Sequence, residues 1–154
     1  MKDSGYFTMT DGTDIYYLRM GAGEPVLFLH GNGGSSRFFK YQVSSFEPYF
    51  QLIFLDSRAH GRSTNGGEVL NFRLMAKDTK EALDALGIEK TSIVGFSDGA
   101  NLAMAFAALY PLCGEQIGIK FRQSLLRRHE IIRPNHLLPA VCRSLRFKCP
   151  IRTI

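Results

Sequence analysis

The stretch Gly95-Phe96-Ser97-Asp98-Gly99 lies between a short apolar run at 91–94 and an alanine- and leucine-rich run at 100–110. These flanks predict a strand that stops at the pentapeptide and a helix that starts from it. Both glycines are needed, because the turn is so tight that a Cβ at either position would collide with its neighbours. The sequence therefore predicts a strained backbone at Ser97 and a hydroxyl that stands clear at the carboxyl end of the strand.

A serine presented in this way is a candidate nucleophile, and the turn has the form of a nucleophile elbow. The amide of Asp98 is predicted at the N-terminus of the following helix, where free N–H groups can face a developing oxyanion. Glycine and serine also form ordinary loops, which is the alternative interpretation. The strand before the motif and the helix after it favour the elbow.

The composition is that of one globular domain. Of the 154 residues, 45% are hydrophobic and 21% are charged, which excludes a disordered chain. No apolar run reaches the roughly 18 residues of a membrane span, and residues 1–5 lack the apolar core of a signal peptide. We therefore expect no membrane span and a cytoplasmic location.

The basic character of the chain is confined to its last part. Residues 1–111 carry ten lysines and arginines against twelve acidic residues, whereas residues 112–154 carry nine against two. The net charge of +5 therefore does not predict a nucleic-acid partner for the domain. All three cysteines lie in residues 112–154 without metal-ligand spacing, so no metal site is expected.

Strand and helix patterns alternate along residues 1–111. Strands are predicted at 6–9, 15–20, 26–29, 52–55 and 93–94, and helices at 37–45, 71–86 and 100–109. Alternation with short loops predicts the α/β class, with a mostly parallel, doubly wound sheet. The loops that follow the parallel strands, at 30–35, 56–63 and 97, would then meet at one site.

Three stretches together resemble the α/β-hydrolase family: His30-Gly31-Asn32-Gly33-Gly34, Asp56-Ser57-Arg58-Ala59-His60-Gly61-Arg62-Ser63 and the pentapeptide at 95–99. The resemblance covers about residues 5–111. It implies a sheet of the α/β-hydrolase type and a serine hydrolase acting on small-molecule carboxylic esters or related acyl compounds, without a cofactor.

The resemblance also implies roles for single residues. Ser97 would be the nucleophile, and the backbone N–H groups of Asn32 and Asp98 would be the oxyanion donors. His30 and His60 are expected to hold loops by hydrogen bonds rather than to act as the general base. Asp56 is likewise expected to be structural.

Three further charged side chains have simpler expected roles. The Asp98 carboxylate either meets a cationic group of the substrate or caps the helix, and capping is favoured. Arg58 and Arg62 are expected to be solvated or to brace their loop.

Residues 112–154 depart from the family pattern and form a basic tail outside it. The pattern needs two further strands that deliver an acid and then a histidine. The later candidates, Glu115, Glu130, His129 and His136, have no such context. The sheet is therefore expected to be incomplete at its C-terminal side. The chain is expected to be a truncated, weakly active or inactive hydrolase, or alternatively a non-catalytic remnant or binding module.

We interpret residues 112–154 as irregular or as the out-of-frame product of a frameshift near Pro111. Read one nucleotide later, codons 112–120 permit Ser-Val-Val-Ser-Lys-Leu-Val-Leu-Asn, which would be the missing strand. The strand before Ser97 would then lack a neighbour and leave an apolar edge prone to aggregation. A natural basic extension is the alternative, although its few aromatic residues argue against nucleic-acid stacking. Sequencing the gene decides, because the +1 frame must continue as a hydrolase.

Overall fold

The computed structural model describes residues 2–111, 113, 116 and 117, the last two by their backbone alone. The elements in chain order are β1 (Lys2–Thr8), β2 (Asp14–Gly21), β3 (Glu24–Leu29), a 3-10 helix (Ser36–Phe39), α1 (Val43–Phe46), β4 (Phe50–Leu55), α2 (Phe72–Ala85), β5 (Ser92–Gly95), α3 (Asp98–Leu109) and β6 (Gln116–Ile117). The predictions about Glu115, Glu130, His129 and His136 lie outside the described residues.

The strands form one sheet in the order β1-β2-β4-β3-β5-β6. β3 pairs in parallel with both β4 and β5, and β1 and β2 add an antiparallel edge. Strands in the centre are continuous apolar runs because they are buried on both faces. This confirms the α/β class, the mostly parallel sheet and the hydrolase-type fold predicted from the sequence.

Alternate residues of β3 and β4 build two hydrophobic layers. Leu27 and Leu29 point to the layer that α2 and α3 cover, while Val26 and Phe28 point to the layer of the 3-10 helix and α1. Both layers are fully enclosed at their centre, since Leu27 and Leu29 are 0% exposed. The parallel strands are thereby held in fixed register, and their carboxyl ends lie side by side.

Helix α2 (Phe72–Ala85) lies within the segment 71–86 for which the sequence predicts a helix, and specific contacts bound it at both ends. Asn71 caps its start by accepting a hydrogen bond from the Leu74 N–H at 2.9 Å. Gly87, just beyond its end, has φ +70°, a conformation that favours glycine. No helix within residues 2–111 is long and apolar enough to cross a membrane.

Two predicted elements differ from the structure. The first strand spans Lys2–Thr8 rather than 6–9. The helix predicted at 37–45 is instead a 3-10 helix followed by the four-residue α1, and the Ser35 side chain makes no capping bond. The break lets Phe39 and Phe46 both bury their rings against Phe28, at centroid distances of 5.1 and 5.6 Å.

The outer edge of β5 is partly covered. Ser92 and Ile93 pair in parallel with Gln116 and Ile117 of β6, so the prediction that this strand has no neighbour is wrong. Within the described residues the ladder stops there, and Val94 and Gly95 have no partner on that side. Among the described residues, this pairing covers the first half of β5. The aggregation of this edge stays a prediction.

Candidate active site

The turn between β5 and α3 holds Ser97 in a strained conformation. Ser97 has φ 52° and ψ −118°, and its side chain is exposed. Glycines are required on both sides, since a Cβ at Gly95 would lie 2.5 Å from the carbonyl oxygen of Gly99. A Cβ at Gly99 would overlap the carbonyl oxygen of Leu29. The tight turn and the strained serine predicted from the sequence are therefore present.

The loop after β3 lies directly against this turn. A Cβ added to Gly31 would come 3.2 Å from the Cβ of Ser97, so glycine permits the close approach. The Phe96 N–H also donates to the carbonyl of Leu29 at 3.0 Å, which fixes the two segments together. Asn32 follows Gly31 and is thereby brought to the serine.

Some backbone N–H groups near this junction have acceptors among the described residues, and two do not. At the start of α3, the N–H groups of Gly99 and Ala100 donate to the carbonyls of Phe96 and Ser97. No acceptor within residues 2–111 takes the N–H of Asp98 or of Asn32. The structure thus brings Ser97, Asn32 and Asp98 together and leaves two backbone donors available to a bound group.

His30 is a loop-holding residue with both ring nitrogens occupied. Its Nε2 accepts from the Ser57 N–H at 3.0 Å, and its Nδ1 lies 2.8 Å from the carbonyl of Gly31, to which it donates. Burial lowers the pKa of His30 and keeps the ring neutral. Neither nitrogen is free to take a proton from Ser97, in agreement with the structural role predicted for this histidine.

The pH dependence of stability should report this buried ring. Because the pKa of His30 is lower in the folded than in the unfolded chain, the unfolded chain takes up a proton first as pH falls. The contribution of the neutral His30 ring to the free energy of unfolding is complete above about pH 6.5, the ordinary pKa of histidine. It is lost as pH falls through the pKa of His30 in the folded chain. We expect urea unfolding free energy to fall from about pH 7 to about pH 5, and less steeply in His30→Gln. Equal slopes for the two proteins would contradict this assignment.

His60 ties the loop after β4 to Asn32. Its Nδ1 donates to the carbonyl of Arg58 at 2.7 Å, and its Nε2 lies 3.1 Å from the Asn32 side-chain amide. The atom of Asn32 that faces this ring nitrogen is the amide oxygen Oδ1. Both ring nitrogens are again engaged, as predicted for a loop histidine.

Asp56 holds the loop after β4 in place by hydrogen bonds to its carboxylate. One carboxylate oxygen accepts from the Ser36 N–H at 2.5 Å and the other accepts from the Arg62 N–H at 3.0 Å. The side chain is buried, at 1% exposure, and a Cβ on Gly61 would overlap it. Asp56 is therefore structural, as expected, and does not face Ser97.

Arg58 is buried rather than solvated, and it braces three segments. Its Nε and Nη2 bind both oxygens of Asp78 on α2 at 2.8 and 2.7 Å, and its Nη1 binds Asp11 and Thr13 in the β1–β2 turn, each at 2.5 Å. These bonds raise the pKa of Arg58 and lower that of Asp11. Arg62 instead lies over the ring of Tyr16, 4.5 Å from its centroid.

A cavity of about 190 Å³ opens beside the serine turn. Its lining includes Gly31, Asn32 and Asp98, together with the apolar residues Leu70, Phe72, Met75 and Leu102. The sequence analysis did not identify these apolar residues as part of the site. Leu70, Phe72 and Met75 lie before and on α2, and Leu102 lies on α3. The available signal was a pair of apolar residues directly before the helix predicted at 71–86 and within its first turn.

The prediction that Asp98 caps α3 is wrong. No backbone N–H within the described residues donates to its carboxylate, which instead accepts from the Asn101 side-chain amide at 3.4 Å. Asp98, in the first turn of α3, is one of the residues that line the cavity. Within residues 2–111, no three side chains of His, Cys, Asp or Glu lie close enough together to hold a metal ion.

The family profile described as alpha/beta hydrolase fold matches residues 24–113. The chain is 34% identical over 110 residues to the bifunctional esterase/perhydrolase DCH of Acinetobacter calcoaceticus, covering 70% of this chain and 40% of that protein. It is 30% identical over 113 residues to proline iminopeptidase of Xylella fastidiosa, covering 71% of this chain and 36% of that protein. The chain thus spans less than half the length of each.

Solved structures of α/β hydrolases also resemble this chain. Est816, described as an N-acyl homoserine lactone degrading enzyme, superposes with a TM-score of 0.71 at 30% identity, over 75% of this chain and 44% of that one. MGS-M2, an alpha/beta hydrolase enzyme from a deep-sea metagenome library, superposes with a TM-score of 0.70 at 28% identity, over 75% and 43%. The sheet order, the serine turn and these matches agree, and the chain belongs to the α/β-hydrolase family.

Proposed function

We propose that Ser97 is the nucleophile of a serine hydrolase acting on small-molecule carboxylic esters or related acyl compounds. The observation that carries this proposal is the strained, exposed Ser97 at the strand-to-helix turn, with the Gly31–Asn32 backbone against it. Strain at an exposed serine is costly, and it is kept where the hydroxyl must face a substrate. The esterase among the relatives supports this reaction class.

The proposed reaction follows acyl transfer. The Ser97 oxygen attacks the carbonyl carbon, and the N–H groups of Asn32 and Asp98 hold the resulting oxyanion. Collapse expels the alcohol and leaves an acyl–Ser97 ester, which water then hydrolyses. Both steps need a base that takes a proton from the attacking oxygen.

Within residues 2–111 no such base faces Ser97. His30 and His60 use both ring nitrogens elsewhere, and Asp56 uses both oxygens. We therefore propose that the chain as given turns over at less than about 1% of the rate of a full-length relative. The same observation favours the second candidate, a non-catalytic remnant or binding module that keeps the half-sheet.

A fluorophosphonate probe separates these two candidates. We expect slow labelling of the wild-type chain that is abolished in Ser97→Ala, because a serine beside oxyanion donors still reacts with an activated phosphorus centre. Ser44→Ala, which removes an exposed hydroxyl on α1, is the matched control and should label like the wild type. Labelling that is absent, or that persists in Ser97→Ala, would favour the remnant.

A further inference from the structure

Asp98 is the one acidic side chain among the described residues that line the cavity beside Ser97. No lysine or arginine of residues 2–111 lines the cavity with it, and none forms an ion pair with Asp98. A carboxylate has about four acceptor positions, whereas the contact made here is the single long bond from Asn101 at 3.4 Å. Asp98 thus brings unused acceptor capacity and a negative charge into the cavity.

Three polar side chains of the cavity wall already have partners. Asn71 accepts from the Leu74 N–H and donates to the carbonyl of Val69, and His30 and His60 are each engaged at both ring nitrogens. Leu70, Phe72, Met75 and Leu102 add apolar surface beside Asp98. A charge-assisted hydrogen bond at Asp98 gains strength in such surroundings.

The position of Asp98 relates this charge to the reacting atoms. It follows Ser97 directly in the chain, and its own N–H is one of the two free donors at the turn. A cation bound by the Asp98 carboxylate would therefore be held by the residue next to the one that attacks the substrate carbonyl.

Resting on the proposed function of Ser97, we propose that Asp98 selects acyl substrates that carry a protonated amine close to the acyl carbon. The amine donates to the Asp98 carboxylate, and an apolar part of the same substrate packs on the α2 side of the cavity, at Leu70 and Phe72. Esters and amides of amine-bearing acids with an apolar side group have this combination of charge and shape. Asp98 is then a specificity-determining residue rather than a helix cap.

Binding of a matched ligand pair tests the amine site without requiring turnover. Protonated benzylamine and benzyl alcohol have nearly the same shape and differ in charge. We expect ligand-observed NMR titration to give a dissociation constant about tenfold lower for benzylammonium in the wild-type chain. Asp98→Asn should bring this ratio to about one, since it removes the charge and keeps the shape.

Glu89→Gln is the matched control, because it removes one negative charge at an exposed position before β5 and should keep the preference. A wild-type ratio near one, or a preference that survives Asp98→Asn, would overturn the amine site. Ser97→Ala should retain the preference while losing fluorophosphonate labelling. A preference without labelling of Ser97 overturns the proposed function alone, and labelling without the preference overturns the amine site alone.

Discussion

Replacing Arg58 by alanine is expected to lower the free energy of unfolding by about 3–5 kcal/mol, the usual cost of breaking a buried ion pair from one side. The guanidinium is 1% exposed and binds both oxygens of Asp78. Without it, the Asp78 carboxylate stays buried and uncompensated on α2. Urea unfolding followed by circular dichroism measures the loss.

Two further variants keep this prediction decisive. Arg58→Lys should cost less, because a lysine keeps the charge but loses the two-pronged bond to Asp78. Arg62→Ala removes an exposed arginine from the same loop and should cost no more than about 1 kcal/mol, the value of its contact with Tyr16. If Arg58→Ala and Arg62→Ala are equally stable, Arg58 does not brace the fold.

Gly99→Ala is the second large expected effect, with a loss of about 3 kcal/mol, at the upper end for overpacking. The added Cβ would overlap the carbonyl oxygen of Leu29 and lie 2.7 Å from that of His30. Both oxygens belong to backbone at the end of the central strand, which cannot move aside without disturbing the sheet. α3 must therefore shift away from β3, and the Ser97 turn shifts with it.

The control for this prediction is Gly87→Ala. Its Cβ would meet nothing within 4 Å, although φ is +70°, so the expected loss is the strain of roughly 1–2 kcal/mol alone. Thermal unfolding of the two variants compares the stability lost through a steric clash, in Gly99→Ala, with the stability lost through backbone strain, in Gly87→Ala. A smaller loss for Gly99→Ala than for Gly87→Ala would contradict the tight packing of α3 on β3.

Much of the fold could be predicted because its signals are local. The apolar runs at 26–29 and 52–55 become β3 and β4, and the helical spacing at 71–86 becomes α2. Local sequence signals did not predict that the helix expected at 37–45 is broken into two short helices. The break depends on where Phe28 lies in space, and no spacing within the segment contains that information.

In the candidate site, too, the features set by neighbouring residues could be predicted and those set by distant residues could not. The strained turn at Ser97 follows from two glycines and two flanks, all within a few residues. The burial of Arg58 instead depends on Asp11 and Thr13, which are 47 and 45 residues away in the chain. The place of Asp98 in a cavity lined also by residues of α2 likewise depends on segments far apart in the chain. Long-range contacts of loop residues leave no periodic pattern in a sequence.

The central proposal is that Ser97 is the nucleophile, that the N–H groups of Asn32 and Asp98 are its oxyanion donors, and that no base within residues 2–111 faces it. Peptide mass spectrometry after incubation with p-nitrophenyl acetate tests it most directly, because a missing base slows deacylation and the acyl-enzyme should persist. We predict an acetyl group on Ser97 that outlasts removal of the ester and is absent in Ser97→Ala. A folded chain that carries acetyl groups on other residues and none on Ser97 would contradict the claim.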